Sequence, residues 1–421
     1  MVTETPAATF LPDFLAFRAQ EQPADTAWMY LDRTWTWAEA WDGVKRFAGG
    51  LKAEGIERGD RVAFLDKNNP AILQAVLGGC LLGSATAIVN WRLAGDELDY
   101  VINDSGSRIA FVGHELADAF ELIRDKLTTV EKVIIVGGPN DEFEAWLAAA
   151  DPIDRAPEVT RDDMCVVMYS SGTTGRPKGV TLTQHNLVEH TVNSVGDVDY
   201  SDGDLLLVAM PMFHVGGTSY AMSGPAQGIP AYIIREVDAG LLAGAMMAGA
   251  THAFLVPAVV AALLQAGPQA MGLFSSLKVF CYGAAPMPLP ILRAAMEAWP
   301  NTTFMQVYGM TEMAGVATIL DDAAHRDESH PERLVSAGKP IPGMDIRVVD
   351  PGTLDDVETG ASGEIWFRTE QATPGYLGKP EASAELLTSD GWLRTGDIGR
   401  VDDGGFVFIE DRVKDMIISG G

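Results

Sequence analysis

The segment Tyr169-Ser-Ser-Gly-Thr-Thr-Gly-Arg-Pro-Lys-Gly-Val180 concentrates groups that can hold a polyphosphate. Gly172, Gly175 and Gly179 allow positive-φ turns and a close approach of ligand to backbone. Ser170, Ser171, Thr173 and Thr174 bring hydroxyls, the loop brings backbone N–H groups, and Lys178 brings a mobile positive charge. Together these suit phosphate oxygens. The segment follows an apolar run, 165–168, that reads as a buried strand. It is not a Walker A loop, which needs a second Gly directly before the Lys. Pro177 stands there instead, and Gly179 follows Lys178. A P-loop ATPase or kinase is excluded on that ground.

Other residues suit the same kind of ligand. In Tyr308-Gly-Met-Thr-Glu312, an aromatic ring can stack on a base, a hydroxyl can meet a phosphate, and a carboxylate can serve Mg²⁺ together with substrate phosphates. The alternative for Thr311 and Glu312 is a helix start with a capping pattern. Gly283-Ala-Ala-Pro286 follows a strand at 279–282, and its small residues leave space for a flat base. Asp397, in Thr395-Gly-Asp, can accept two hydrogen bonds from a ribose diol, or act as a local turn cap. His214 follows the apolar run 205–210 and precedes Gly216 and Gly217. A lone histidine among apolar residues is also a common core residue. His185 and His190 read as structural or surface residues on a helix after the loop. His114, His252, His325 and His330 carry no signal.

The loop at 169–180 closely resembles the phosphate loop of the adenylate-forming superfamily: acyl- and aryl-CoA synthetases, peptide-synthetase adenylation domains and luciferases. Further motifs of that family follow in order: Met210-Pro-Met-Phe-His-Val-Gly-Gly217, Tyr282-Gly-Ala-Ala-Pro286, Gln306-Val-Tyr-Gly-Met-Thr-Glu312, Gly391-Trp-Leu-Arg-Thr-Gly-Asp-Ile398 and Asp411-Arg-Val-Lys-Asp-Met416. The resemblance runs from about residue 35 to 421. It implies attack of a carboxylate on the α-phosphate of ATP, release of pyrophosphate, and transfer of the acyl group from acyl-AMP to CoA.

The resemblance also implies roles. Lys178, His214, Thr311 and Glu312 would be catalytic, with Mg²⁺ held by Glu312 and Ser170. Nucleotide would be bound by 170–175, Gly283, Ala284, Ala285, Pro286, Gln306, Tyr308, Gly309, Met310, Thr311, Asp397, Arg412 and Lys414. The acyl pocket would be walled by His214, Val215, Gly217, Val256, Gly283, Met310, Ala314 and Gly315, with His214 bordering the substrate carboxylate. These walls are small or apolar, and Val215-Gly-Gly-Thr218 lacks the acidic residue that peptide-synthetase domains use for an amine. A medium- or long-chain fatty acid is therefore the expected substrate. Loading of a carrier protein, and a non-catalytic acyl-nucleotide binding module, are the alternatives.

The positioning elements are legible in the periodicity. Residues 36–53 predict an amphipathic helix with Trp37, Ala40, Trp41, Val44, Phe47, Ala48 and Leu51 on one face. Residues 61–65, 85–89, 108–112 and 132–136 predict buried strands, and 70–82 predicts a helix opened by Pro70. Such alternation indicates βαβ units and largely parallel sheet. After about residue 321, short strands at 345–350, 363–368 and 405–409 lie between Gly, Pro and Asp turns. The expected fold is α/β: two α/β subdomains (1–160 and 161–320) with largely parallel sheets, then a small antiparallel β-barrel-like subdomain (321–411). Surface loops are expected at 137–141 and 156–163.

Composition bounds the rest. Among 421 residues, 47% hydrophobic, there are 30 Lys and Arg against 58 Asp and Glu, a net charge of −28. That balance argues against nucleic acid as a partner. The partners expected are small: a carboxylic acid, ATP and CoA; assembly as a homodimer stays open. Cys80, Cys165 and Cys281 show no paired spacing and read as core residues in a reducing, cytoplasmic setting. No signal peptide is visible. Residues 239–277 hold no Asp, Glu, Lys or Arg, but Gly249, His252, Pro257, Gly267 and Pro268 interrupt them. A buried strand and then a helix after Pro257 fits better than a membrane span. The ending, apolar residues then Gly420 and Gly421, reads like a cut inside a longer polypeptide. By resemblance, 412–421 would be a hinge to a C-terminal domain whose lysine serves adenylation, so the chain alone is expected to be catalytically impaired.

Overall fold

The computed structural model describes residues 5–139, 141–170, 176–194, 198 and 200–412, the last without its side chain. Among them three sheets form. In the first, Ala85–Val89, Arg61–Leu65, Ile109–Gly113, Lys132–Val136 and Met164–Ser170 run parallel. Lys178–Thr183 pairs antiparallel with Met164–Ser170 and in turn holds Gly375–Tyr376. Ala85–Val89 and Ile109–Gly113 are buried at every position, as strands covered on both faces must be.

The second sheet has nine strands. Its parallel centre runs Thr303–Met310, Val279–Gly283, His252–Leu255, Leu206–Val208, Ala231–Ile233 and Thr26–Tyr30. Antiparallel strands finish both edges, Gly315–Leu320 and Lys339–Pro340 at one, Arg33–Thr36 at the other. Sheet membership thus crosses residue 160 in both directions: 26–36 joins the second sheet and 164–183 the first. The third sheet, Asp345–Val349, Gly363–Arg368, Leu393–Val401 and Val407–Arg412, is antiparallel throughout.

The elements follow from the sequence with small shifts. Trp37–Ala53 is helical, and Thr36 and Glu39 close a reciprocal capping box at its start. All of its predicted face is buried except Trp41, which is half-buried. Pro70–Leu82 is capped by Asn69, whose Oδ1 accepts from the Ala71 N–H at 3.0 Å, and all its residues are buried. A helix apolar all round belongs inside. The strand expected at 108–112 begins at Ile109, because Arg108 turns outward to Asp60 and Glu131 at 2.8 and 3.0 Å. That expected at 405–409 is Val407–Arg412, since Gly405 closes a turn at φ 79°. Within 239–277 a helix, Ala239–Met247, precedes the strand His252–Leu255 and the helices Pro257–Gln265 and Pro268–Phe274. Asp238 caps the first of these by accepting from Gly240 and Leu241 N–H groups, a signal the charge count hid. No helix among the described residues is long and apolar enough to cross a membrane.

Polar contacts lock the two large sheets together. Asn68, buried at the end of Arg61–Leu65, donates to the Met210 carbonyl at 3.0 Å and accepts from Met212 N–H at 2.8 Å. Beside it Arg235 meets the buried Asp66 at 2.8 Å. The segment leading to His214 is therefore placed by a residue from the other sheet.

Candidate active site

Parallel strands leave their carboxyl ends along one edge, where α/β sheets open a crevice. Leu206–Val208 leads to His214, His252–Leu255 to Val256, Val279–Gly283 to Ala284, and Thr303–Met310 to Thr311 and Glu312. Candidate residues far apart in sequence thus arrive along one edge.

Glu312 sits in a 3-10 turn, Thr311–Met313, with only 5% of its surface exposed. The Tyr376 hydroxyl donates to its Oε1 at 2.9 Å and the Ser170 hydroxyl at 3.3 Å. Burial raises the Glu312 pKa, opposed by its own backbone N–H, by these two hydroxyls and by the charge of Lys178. The Lys178 ammonium lies 5.0 Å from the Tyr376 ring centroid. A carboxylate, a hydroxyl and a cation therefore converge from three elements: the strand Met164–Ser170, the strand Lys178–Thr183 and the turn after Thr303–Met310. Tyr376 was missed by sequence reasoning. It stands about two hundred residues beyond Ser170, and nothing local marks it.

A second pair joins the nine-stranded sheet to the antiparallel one, Tyr308 from the strand Thr303–Met310 and Asp397 from the strand Leu393–Val401. The Tyr308 hydroxyl donates to Asp397 Oδ2 at 2.6 Å. Asp397 N–H donates to Thr395 Oγ1 at 3.0 Å, so the Thr395 hydroxyl closes this turn, while the Asp397 carboxylate accepts from Tyr308. Arg412 is directly opposite Asp397 in the antiparallel pair. Gly283 pairs with Val307, so 284–286 leave the sheet beside Tyr308, exposed. Ala284 takes φ 61°, a left-handed conformation that costs a non-glycine residue energy and concentrates at functional sites. The Gln306 amide donates to the Val307 carbonyl at 3.3 Å. Thr311 is the first residue of the 3-10 turn, whose N-cap is Met310, with no side-chain capping bond there. Ser171, Gly172, Thr173, Thr174, Gly175 and Lys414 lie outside the described residues.

His214 precedes the helix Val215–Gln227 and is exposed. Its ring lies 4.4 Å from that of Phe213, and Arg92 stands 5.5 Å over Phe213. Crowding by protein, then the Arg92 charge, lowers the His214 pKa. Val215, Gly217, Gly283, Ala314 and Gly315 are buried; Val256 and Met310 are half-buried.

His190 braces this wall from behind. Its Nε2 accepts from Val316 N–H at 2.9 Å, and Gly315, at φ 138°, leaves no room for a Cβ, which would meet Nε2 at 2.5 Å. Burial lowers the His190 pKa to about 4. The unfolded chain binds that proton near pH 6.5 and the folded protein does not, so stability falls as pH drops from 6.5 toward 4. Between pH 7 and 5 the loss amounts to about 2 kcal/mol. Urea unfolding at the two pH values measures it; His190→Gln should lower stability at pH 7 and remove most of the difference.

Comparison with known proteins places the chain in a family. The family model for AMP-binding enzymes matches residues 15–377. The chain belongs to the AMP-binding enzyme family. It is 33% identical over 414 residues to the fatty acid–[acyl-carrier-protein] ligase ScoC of Streptomyces coeruleorubidus, covering 96% of this chain and 78% of that protein. It is 34% identical over 407 residues to a feruloyl-CoA synthase of an Amycolatopsis species, covering 96% and 79%. The crystal structure of the N-terminal domain of FACL13 from Mycobacterium tuberculosis, bound to an inhibitor, superposes with a TM-score of 0.87 at 29% identity, covering 96% of this chain and all of that one. As an AMP-binding enzyme, the chain has the fold its motifs implied.

Proposed function

We propose that this AMP-binding enzyme activates a carboxylic acid with ATP and passes the acyl group to CoA. The carboxylate oxygen attacks the α-phosphorus, the bond to the bridging oxygen breaks, and pyrophosphate leaves. A thiol then attacks the acyl carbon, AMP departs with the bonding pair, and the thiol proton goes to solvent. The observation that carries this reading is Glu312 held between Ser170 and Tyr376 with Lys178 alongside.

The chain's own residues position and neutralise, which is most of the protein's task in phosphoryl chemistry. Asp397 accepts from the ribose hydroxyls, and Tyr308, fixed by its bond to Asp397, covers the base. Gly283, Ala284, Ala285 and Pro286 form the other side of that slot, and Gln306 lies beside it. Lys178 and Thr311 meet phosphate oxygens. His214 borders the substrate carboxylate. No cluster of three metal-ligating side chains exists among the described residues, and a lone buried carboxylate fits Mg²⁺, which keeps waters and substrate phosphates as its other ligands. When bound, Mg²⁺ would offset phosphate charge, with Glu312 and Ser170 as its protein ligands.

The pocket walls carry no charged side chain, which favours an apolar acid, and a medium- or long-chain fatty acid is the class we assign. A carrier-protein thiol in place of CoA is the second reading, favoured by the similarity to ScoC. The test is ATP-dependent pyrophosphate release by the full-length protein with a panel of fatty and aryl acids, followed by CoA or a phosphopantetheinylated carrier. Release that needs both ATP and an acid is expected. The absence of release with every acid overturns the reading.

A further inference from the structure

One face of the helix Gly95–Ser105 reaches three elements of the Glu312 cluster. Tyr100 and Asp104 are four residues apart and so share that face. The Tyr100 hydroxyl donates to the Pro177 carbonyl at 3.1 Å, one residue before Lys178. The Tyr169 hydroxyl donates to Asp104 Oδ2 at 2.9 Å, one residue before Ser170. The Lys379 ammonium donates to Asp104 Oδ1 at 3.1 Å, three residues after Tyr376. Each contact thus lies beside a residue that meets Glu312 or stands near it.

The three elements are also tied to one another. Lys178–Thr183 lies between Met164–Ser170 and Gly375–Tyr376 in the sheet. Tyr169 pairs with Gly179, where a Cβ would stand 3.1 Å from Tyr169 Cζ, and Leu377 N–H donates to the Gly179 carbonyl at 2.8 Å. Asp104 therefore spans the middle strand, taking one donor from each side of it. Stability gives little reason for a carboxylate here. Asp104 is the last residue but one of its helix, where the helix dipole disfavours negative charge. Its ion pair is with a lysine side chain that is 41% exposed, and such pairs add little. A residue that breaks a local rule without stabilising the fold points to function.

We propose that Asp104 is a positioning residue for the triphosphate: through Tyr169 and Lys379 it holds Ser170, Lys178 and Tyr376 at the spacing that phosphate oxygens and Mg²⁺ require. This rests on the acid-activating reading and adds to it a residue that touches no substrate. Ser170 and Tyr376 both donate to Glu312, so a shift of either strand moves the carboxylate's partners relative to Lys178. Misplacement of such groups by about 1 Å can cost about 10²-fold in rate. The groups assigned to base and ribose stand on other strands, Tyr308 on Thr303–Met310 and Asp397 on Leu393–Val401. AMP, which lacks the outer phosphates, should therefore feel the loss of Asp104 little.

Calorimetric titration of the full-length protein with ATP and Mg²⁺, and separately with AMP, tests it. The proteins compared are wild type, Asp104→Ala, Asp104→Asn, Tyr169→Phe and the double variant of Asp104→Ala with Tyr169→Phe. Asp104→Ala should weaken ATP binding about tenfold and AMP binding less than about twofold, tenfold being the scale of one hydrogen bond to a charged group. Asp104→Asn keeps size and an acceptor for Tyr169 but loses the charge that meets Lys379, so its loss should be smaller. Tyr169→Phe should weaken ATP binding by itself and add nothing to Asp104→Ala, since both delete the same bond. Urea unfolding shows which variants fold; should Asp104→Ala not fold, the ATP-to-AMP ratio in Asp104→Asn decides. Unchanged ATP affinity, equal losses for ATP and AMP in a folded variant, or a Tyr169→Phe loss that persists in full beside Asp104→Ala overturns the proposal. Pyrophosphate release with the panel of acids judges the acid-activating reading separately: its absence overturns that reading, and the ATP-to-AMP ratio still decides the role of Asp104.

Discussion

Glu312→Gln should lower acid-dependent pyrophosphate release about 10²-fold or more, while AMP affinity changes only severalfold. The substitution keeps shape and an acceptor oxygen for Tyr376 and Ser170, so the turn and its two hydroxyl contacts survive. It removes the one negative charge that can serve a divalent cation there, and loss of metal-based charge stabilisation costs several kcal/mol of barrier. AMP makes little demand on that charge. Burial holds the Glu312 carboxyl above the ordinary glutamate value of about 4.3. Protonation therefore begins at higher pH than for an exposed glutamate, and at limiting Mg²⁺ the rate of the unsubstituted protein should fall on acidification from that higher point. The Gln variant should lack this acid limb. Pyrophosphate release against pH and Mg²⁺, with calorimetric AMP titration beside it, makes the measurement. Equal losses in rate and AMP affinity would mean that Glu312 is structural.

Asp397→Ala should weaken ATP and AMP binding about tenfold or more, since lost hydrogen bonds between a ligand and a charged acceptor cost roughly 1.5 kcal/mol or above. The loss has two parts: the acceptor for the ribose hydroxyls and the anchor of the Tyr308 ring. Tyr308→Phe isolates the second. It deletes the 2.6 Å bond to Asp397 and keeps the stacking surface, so a loss of about threefold is expected, within the range for a single neutral bond. Calorimetric titration of the three proteins with ATP and Mg²⁺ gives both numbers. Unchanged affinity in Asp397→Ala would remove Asp397 from the nucleotide site and leave it as a partner of the Tyr308 hydroxyl.

Much of the scaffold was legible in short stretches. The strands at 61–65 and 85–89 and the helix at 70–82 end where their sequences say. Each boundary is local: Pro70 after the capping Asn69, Gly83 in a left-handed turn at φ 72°. Boundaries set by distant partners moved. Arg108 left its predicted strand because Asp60 and Glu131 take its guanidinium. Sheet membership was not legible: the expected boundary at residue 160 assigns 26–36 to the first subdomain and 164–183 to the second, whereas 26–36 pairs in the second sheet and 164–183 in the first.

The site divides in the same way. Spacing alone determined that 169–180 gathers hydroxyls, glycines and a lysine, that 308–312 offers an aromatic, a hydroxyl and a carboxylate, and that 395–397 offers a carboxylate in a turn. Residue type and order along one backbone suffice for that, because a loop or strand end presents its neighbours together. Only the tertiary structure decided that Ser170 and Tyr376 meet on Glu312, that Tyr308 reaches Asp397, that Asn68 places the segment before His214, and that His190 supports Gly315. Each of these contacts joins elements from different sheets or distant strands. Their geometry comes from burial and packing of whole layers, which no local pattern encodes.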